Sequence, residues 1–261
     1  ADLKQFGGGR PGGDIFNDAT DLIPSTLNYR ASSRINKEQF REALKDVAEV
    51  LSIVPGQTEA LIKCVQCHLN LGNFQEANAA LNLVLDPAIR KFYAEKLTKT
   101  EDQHVLILDF ISQGHYNEAV NQIILARKTF PQNLNLVLLQ AECLAMQLKI
   151  PQAEQLLNSN DNEESRRNAI FFFVKGLCYY YKNKLNFAYH KFRKAITLAL
   201  KNRQQFSRVL NKADLFKKKT FVMTKALSDA ENERKLENKE NALAHYTSGL
   251  SIDTKNKKYL L

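Results

Sequence analysis

The stretch KCVQCHLNLGNFQEA (residues 63–77) admits two readings, and the choice between them decides the fold. Its first half sets Cys64, Cys67 and His68 in a C-x-x-C-H spacing. That spacing attaches haem in c-type cytochromes, and C-x-x-C alone serves as a redox pair or as half a zinc site. Its second half, LGNFQEA, reads as part of a helix hairpin.

A search for repeats resolves the choice. An aromatic or apolar residue followed three places later by alanine recurs along the chain. FREA ends at Ala43, FQEA at Ala77, YNEA at Ala119, IPQA at Ala153 and LNFA at Ala188, and KENA ends at Ala242. The spacings are 34, 42, 34, 35 and 54 residues, and 34 is the period of the tetratricopeptide repeat (TPR). Twelve places before each anchor alanine stands a small or branched residue: Ala31, Val65, Ile107, Ala141, Gly176 and Ala230. Seven places after it come Val50, Val84, Ala126, Ala195 and Gly249, and Pro24, Pro55 and Pro131 close units. The fourth repeat is the poorest, with Asn160 in the small-residue column of its second helix. Small residues let two helix backbones approach, and the aromatics fill the space beside them. One hairpin cannot bury its apolar face alone, so hairpins stack.

The expected fold is therefore all-α: a right-handed α-solenoid of TPR helix hairpins with a concave groove, about six units plus a leading half unit. The half unit is DIFNDATDLIP (14–24), read as a second helix with Ala19 and Pro24 in register. The last unit ends near Asn256, so both ends read as cut. The expected organisation is a disordered Gly-rich lead (1–13), then a TPR block (14–200) with an extended helix near 86–114. A basic linker helix (201–225) and the start of a second, truncated block (226–261) follow.

Composition agrees with a helical, non-secreted chain. Trp is absent, and Leu, Ala, Lys, Asn and Glu dominate. The four cysteines, Cys64, Cys67, Cys143 and Cys178, are scattered through helical stretches and read as reduced thiols. The most apolar stretch, IFFFVKGLCYYY (170–181), is too short for a membrane span and is interrupted by Lys175. The first residues contain no signal-peptide h-region. The expected location is cytoplasmic or nuclear, with no membrane partner. A net charge of +9 favours an anionic partner without naming one.

CHLNLGN, LQAECLAM and VKGLCYYY, followed by HYTSGLSID, occur in the order and at the distances found in J-domain (DnaJ-type) co-chaperones with two TPR blocks. The chain resembles the TPR region of that family from about residue 14 to 256. The resemblance implies a chaperone co-factor whose TPR blocks bind the acidic tails of heat-shock chaperones of the seventy- and ninety-kilodalton classes. The His-Pro-Asp motif of the J domain does not occur in these 261 residues. Whether such a domain lies beyond Leu261 stays open. The family's carboxylate clamp is eroded: an expected Asn is Tyr29, with Asn28 beside it, and two expected cations are Glu59 and Lys63. In the second block the expected Lys and Asn are Leu227 and Glu231. A cation replaced by Glu59 sets like charge against a ligand carboxylate.

The candidate sites follow from this register. Asn28, Tyr29, Lys63 and Gln66 would line the N-terminal groove, and Phe173, Val174, Leu177, Tyr180 and Tyr181 the central one. The alternative for the aromatic strip is packing against the following linker helix. The segment 201–225 holds eight Lys or Arg against one Asp. Arg208, Lys212, Lys217, Lys218 and Lys219 form a polyanion or nucleic-acid candidate there, against a solvated helix face as the plain alternative. GGGRPGG (7–13) lacks the G-K-[ST] ending of a phosphate loop. In the TPR register Cys64 and His68 face hairpin packing, so haem, redox and metal roles are disfavoured. No catalytic residue and no cofactor is expected, and the leading expectation is a non-catalytic protein-interaction scaffold.

Overall fold

The computed structural model describes residues 13–254. The lead expected at 1–13 lies, except for Gly13, outside the described residues, as does the expected end near Asn256. Among the described residues there are twelve α-helices and no strand. They are α1 (Gly13–Asn36), α2 (Phe40–Ile53), α3 (Thr58–Leu71), α4 (Phe74–Asn82), α5 (Pro87–Gln113) and α6 (Tyr116–Thr129). Then come α7 (Leu134–Met146), α8 (Ile150–Ser159), α9 (Ala169–Tyr181), α10 (Leu185–Ala199), α11 (Arg203–Lys235) and α12 (Lys239–Ile252). The chain divides into two compact units. One holds the residues up to Val105 with Thr129–Asn133; the other holds Leu106–Lys128 and the chain from Leu134.

The repeat columns are the contact points of the hairpins. The anchor alanines Ala43, Ala77, Ala119, Ala153 and Ala188 are fully buried, and Ala242 nearly so. So are Ala31, Val65, Ile107, Ala141 and Ala230, one per first helix. Gly176 shows why the column must be small. A Cβ there would sit 2.5 Å from the ring of Phe192 on α10, so only glycine allows α9 and α10 this close.

Each hairpin turns in the same way. Five residues before each anchor alanine the backbone is left-handed, at Glu38, Gly72, Gly114, Leu148, Asn183 and Glu237, with φ between 57° and 81°. The residue after each donates its N–H to the carbonyl five back, as Asn73 does to His68 (2.9 Å) and Lys184 to Tyr179 (2.9 Å). This closes the exposed helix end in a Schellman cap. The next helix then begins on the aromatic or apolar residue of the repeat, except α12, which begins on Lys239.

Two expectations are corrected. The segment 14–24 is not a separate second helix: it continues through Pro24 into α1. Among the described residues no helix precedes it to turn back against, and Leu22 and Ile23 are exposed. A proline removes one helical donor but does not by itself force a hairpin. The 225/226 boundary falls inside α11, so the basic linker and the first helix of the last unit are one helix, kinked at Phe206. The insertion near 86–114 is the helix α5. The weak fourth repeat has a short second helix, because α8 ends at Ser159, before Asn160 reaches the packing column.

Candidate functional site

In the first unit, α1 packs on both α2 and α3. Lys63 of α3 is buried, with 7% of its surface exposed. Its ammonium donates to the Asn28 backbone oxygen (3.0 Å) and to Glu59 Oε1 (2.5 Å), and lies 3.4 Å from Asn28 Oδ1. Asn28, itself buried, donates from Nδ2 to Gln57 Oε1 (2.7 Å). Gln66 donates to the Tyr93 hydroxyl at the start of α5 (2.7 Å). Tyr29 stands apart, 79% exposed. Asn28 and Lys63 therefore come together, while Gln66 joins Tyr93 and Tyr29 faces solvent. The Glu59–Lys63 pair was legible in the i, i+4 spacing, which places both on one helix face.

Beside it, Cys67 is fully buried among Phe40, Ala43 and Leu71, and Cys64 is half-buried. The order differs slightly from expectation: Cys67, rather than Cys64, is the deepest. Burial pushes the Cys67 thiol up to about 12, and Cys64 upward too. Burial also lowers His68, whose Nδ1 has no hydrogen-bond partner. A thiolate, the form that attacks or ligates, is therefore disfavoured at both cysteines. Cys143 and Cys178 are likewise pushed up to about 12 by burial.

In the second unit the aromatic strip does not line an open groove. Phe173, Val174, Leu177 and Tyr180 are fully buried and Tyr181 is 1% exposed. Helix α9 packs on α7, α8, α10 and α11, so a helix apolar all round is buried all round. Phe216 of α11 closes its face, 5.3 Å from Tyr180, 6.1 Å from Phe173 and 5.7 Å from Phe192, centroid to centroid. The Tyr180 hydroxyl donates to Asp253 Oδ2 just past α12 (3.2 Å). Packing against the linker helix, the plain alternative, is what the structure shows.

The same helix corrects the polyanion candidate. Arg208 forms a bidentate pair with Glu142 of α7 (2.6 and 2.7 Å), and Lys212 reaches the same carboxylate (3.2 Å). Lys217 and Lys218 pair with Asp214 (2.7 and 3.0 Å), and Lys219 with Asp253 (3.5 Å). The cations turn to partners within the unit instead of forming one free face. Glu142 has no exposed surface. Burial alone would raise its pKa, but the charges and hydrogen bonds of Arg208 and Lys212 outweigh it, and the net direction is downward. Sequence reasoning missed Glu142. Its signal was the lone charged residue in the mostly apolar LNLVLLQAECLAM.

Comparison with known proteins places these features. Residues 35–88, which span α2 to α4, match the tetratricopeptide repeat family model. The chain is 26% identical over 253 residues to DnaJ homolog subfamily C member 7 of Mus musculus and, at the same identity, to that of Homo sapiens. Each alignment takes in 94% of this chain and 49% of the relative, so the chain spans about half the length of the curated relatives it matches. Among solved structures, the P58(IPK) TPR domain covers 93% of this chain, and the chain 67% of it, at 18% identity and a TM-score of 0.47. No helix among the described residues is long and apolar enough to cross a membrane. The helix hairpins of residues 35–88 thus match tetratricopeptide repeats, and the chain, all-α among its described residues, is similar in sequence to the DnaJ homologues over most of its length.

Proposed function

We propose that the chain is a non-catalytic protein-interaction scaffold of the co-chaperone type, working in the cytoplasm or nucleus. It engages an extended segment or helix of a partner along the α1–α3 face of its first unit, around the exposed Tyr29 and the half-buried Gln66. The partner class suggested by the similar proteins is a heat-shock chaperone of the seventy- or ninety-kilodalton class. The terminal-carboxylate clamp does not supply the affinity. One observation carries this: the Lys63 ammonium already holds the Glu59 carboxylate and the Asn28 carbonyl. A free C-terminal carboxylate would have to displace a tethered one, which competes at high effective concentration.

Calorimetric titration with a free-carboxylate acidic tail peptide tests this. Wild-type protein shows no low-micromolar binding. Glu59→Gln, which frees the ammonium, gains affinity for that peptide but not for its C-terminal amide. Low-micromolar binding by wild type would overturn the closed clamp.

A further inference from the structure

The longest acid-free run in the sequence overlaps the segment 201–225 and extends well before it. Between Glu164 and Asp214 stand twelve Lys or Arg and no Asp or Glu. Six of the twelve are held by acids elsewhere in the unit: Arg166 and Lys175 by Asp161, Arg167 by Glu163, Lys182 by Glu154, and Arg208 and Lys212 by Glu142. Helix α10 carries no acid of its own.

Its buried side is Leu185, Ala188, Phe192, Ala195 and Ala199. On the other side Phe187, His190, Lys191, Lys194 and, just past the helix, Lys201 recur at helical spacing, and so share one stripe. At 1.5 Å per residue the stripe from Lys191 to Lys201 runs about 15 Å along the axis. Two of its cations are positioned without being neutralised: Lys194 Nζ stands 4.1 Å from the Phe172 ring centroid and Lys191 Nζ 5.9 Å. Phe187 is 60% exposed and stacks on Tyr179, with centroids 5.5 Å apart and planes at 26°. Tyr179 backs the ring on one side, and more than half of the residue's surface stays in solvent.

We propose that this stripe of α10 is a docking surface for single-stranded nucleic acid, with Lys191, Lys194 and Lys201 meeting phosphates and Phe187 stacking on a base. Lysines alone would serve any polyanion. An aromatic ring held flat in line with them adds what bases use and acidic side chains do not. Stacking needs an unpaired base, which selects a single strand over a duplex.

The test is fluorescence anisotropy of the full chain with a labelled oligo-dT. Duplex DNA of equal length, polyglutamate and phosphatidylserine vesicles serve as competitors. Oligo-dT binds most tightly, and binding weakens with salt. The variant Lys191→Ala/Lys194→Ala/Lys201→Ala lowers the log–log salt slope by about two, from roughly 0.7 per lost phosphate contact. Phe187→Ala, at an exposed site, weakens oligo-dT binding on the order of tenfold and leaves polyglutamate binding unmoved. Lys217→Ala/Lys218→Ala, whose cations pair with Asp214, changes little. The proposal fails if oligo-dT does not bind, if polyglutamate or vesicles compete as well as the oligonucleotide, or if Phe187→Ala binds like wild type.

Discussion

Replacing Glu142 by glutamine tests how the second unit is closed. The carboxylate has no exposed surface and receives both terminal Arg208 nitrogens and the Lys212 ammonium. Removing one partner of a buried pair costs about 3–5 kcal/mol, because the other charge stays desolvated. Here the Arg208 and Lys212 side chains keep 22% and 27% of their surface in water, so some of that charge is relieved by solvent. The expected loss is therefore about 2–3 kcal/mol. Urea unfolding followed by far-UV circular dichroism measures it at neutral pH. The pH dependence follows from the lowered pKa of Glu142. The contribution is fully present above the unfolded glutamate value of about 4.3 and is lost as pH falls through the folded value. The gap between wild type and Glu142→Gln narrows over that window. Replacing all three groups together, Glu142→Leu with Arg208→Met and Lys212→Met, restores stability to within about 1 kcal/mol, since no charge is stranded. Hydrogen exchange at 203–220 rises in the single variant. A single variant within about 0.5 kcal/mol of wild type would refute the reasoning, for surface changes lie in that range.

Three further outcomes are expected. Gly176→Ala forces a Cβ to 2.5 Å from the Phe192 ring and destabilises by about 1–3 kcal/mol, the usual cost of overpacking, read as a lower urea midpoint. Glu38→Gly relieves an exposed residue held at φ 58°. It stabilises by up to about 1 kcal/mol, since a side chain in the left-handed region costs about that much; a lower melting temperature would contradict this. Ellman's reagent at neutral pH labels the native thiols slowly, with Cys64 first because it is the only half-buried one, and all four rapidly in denaturant. A fast native phase at Cys67, whose thiol is pushed up to about 12, would overturn the inert reading.

The repeat columns were legible because helix packing is written locally. A period of 34 with a small residue at fixed offsets names the points where two helices touch, and every one of those alanines is buried. That register turned Cys64 and His68 towards packing, whereas the residue the structure buries fully is Cys67. The hairpin turns were only half legible. Gly72 and Gly114 announce a left-handed residue, but Glu38, Leu148, Asn183 and Glu237 adopt the same conformation because the cap and the packing on either side demand it.

What the sequence could not decide is which exposed-looking face meets another part of the chain. Phe173 and Tyr180 are as consistent with an open groove as with a core until Phe216 of α11 is seen against them. Arg208 and Lys212 read as free cations until Glu142, 66 and 70 residues away, is found beneath them. Lys63 reads as a clamp residue until Asn28 and Glu59 are found holding it. Periodicity determines that a helix has a buried side and where its close contacts fall. Only tertiary structure brings residues distant in sequence together, and so determines which charges and rings remain available to a partner.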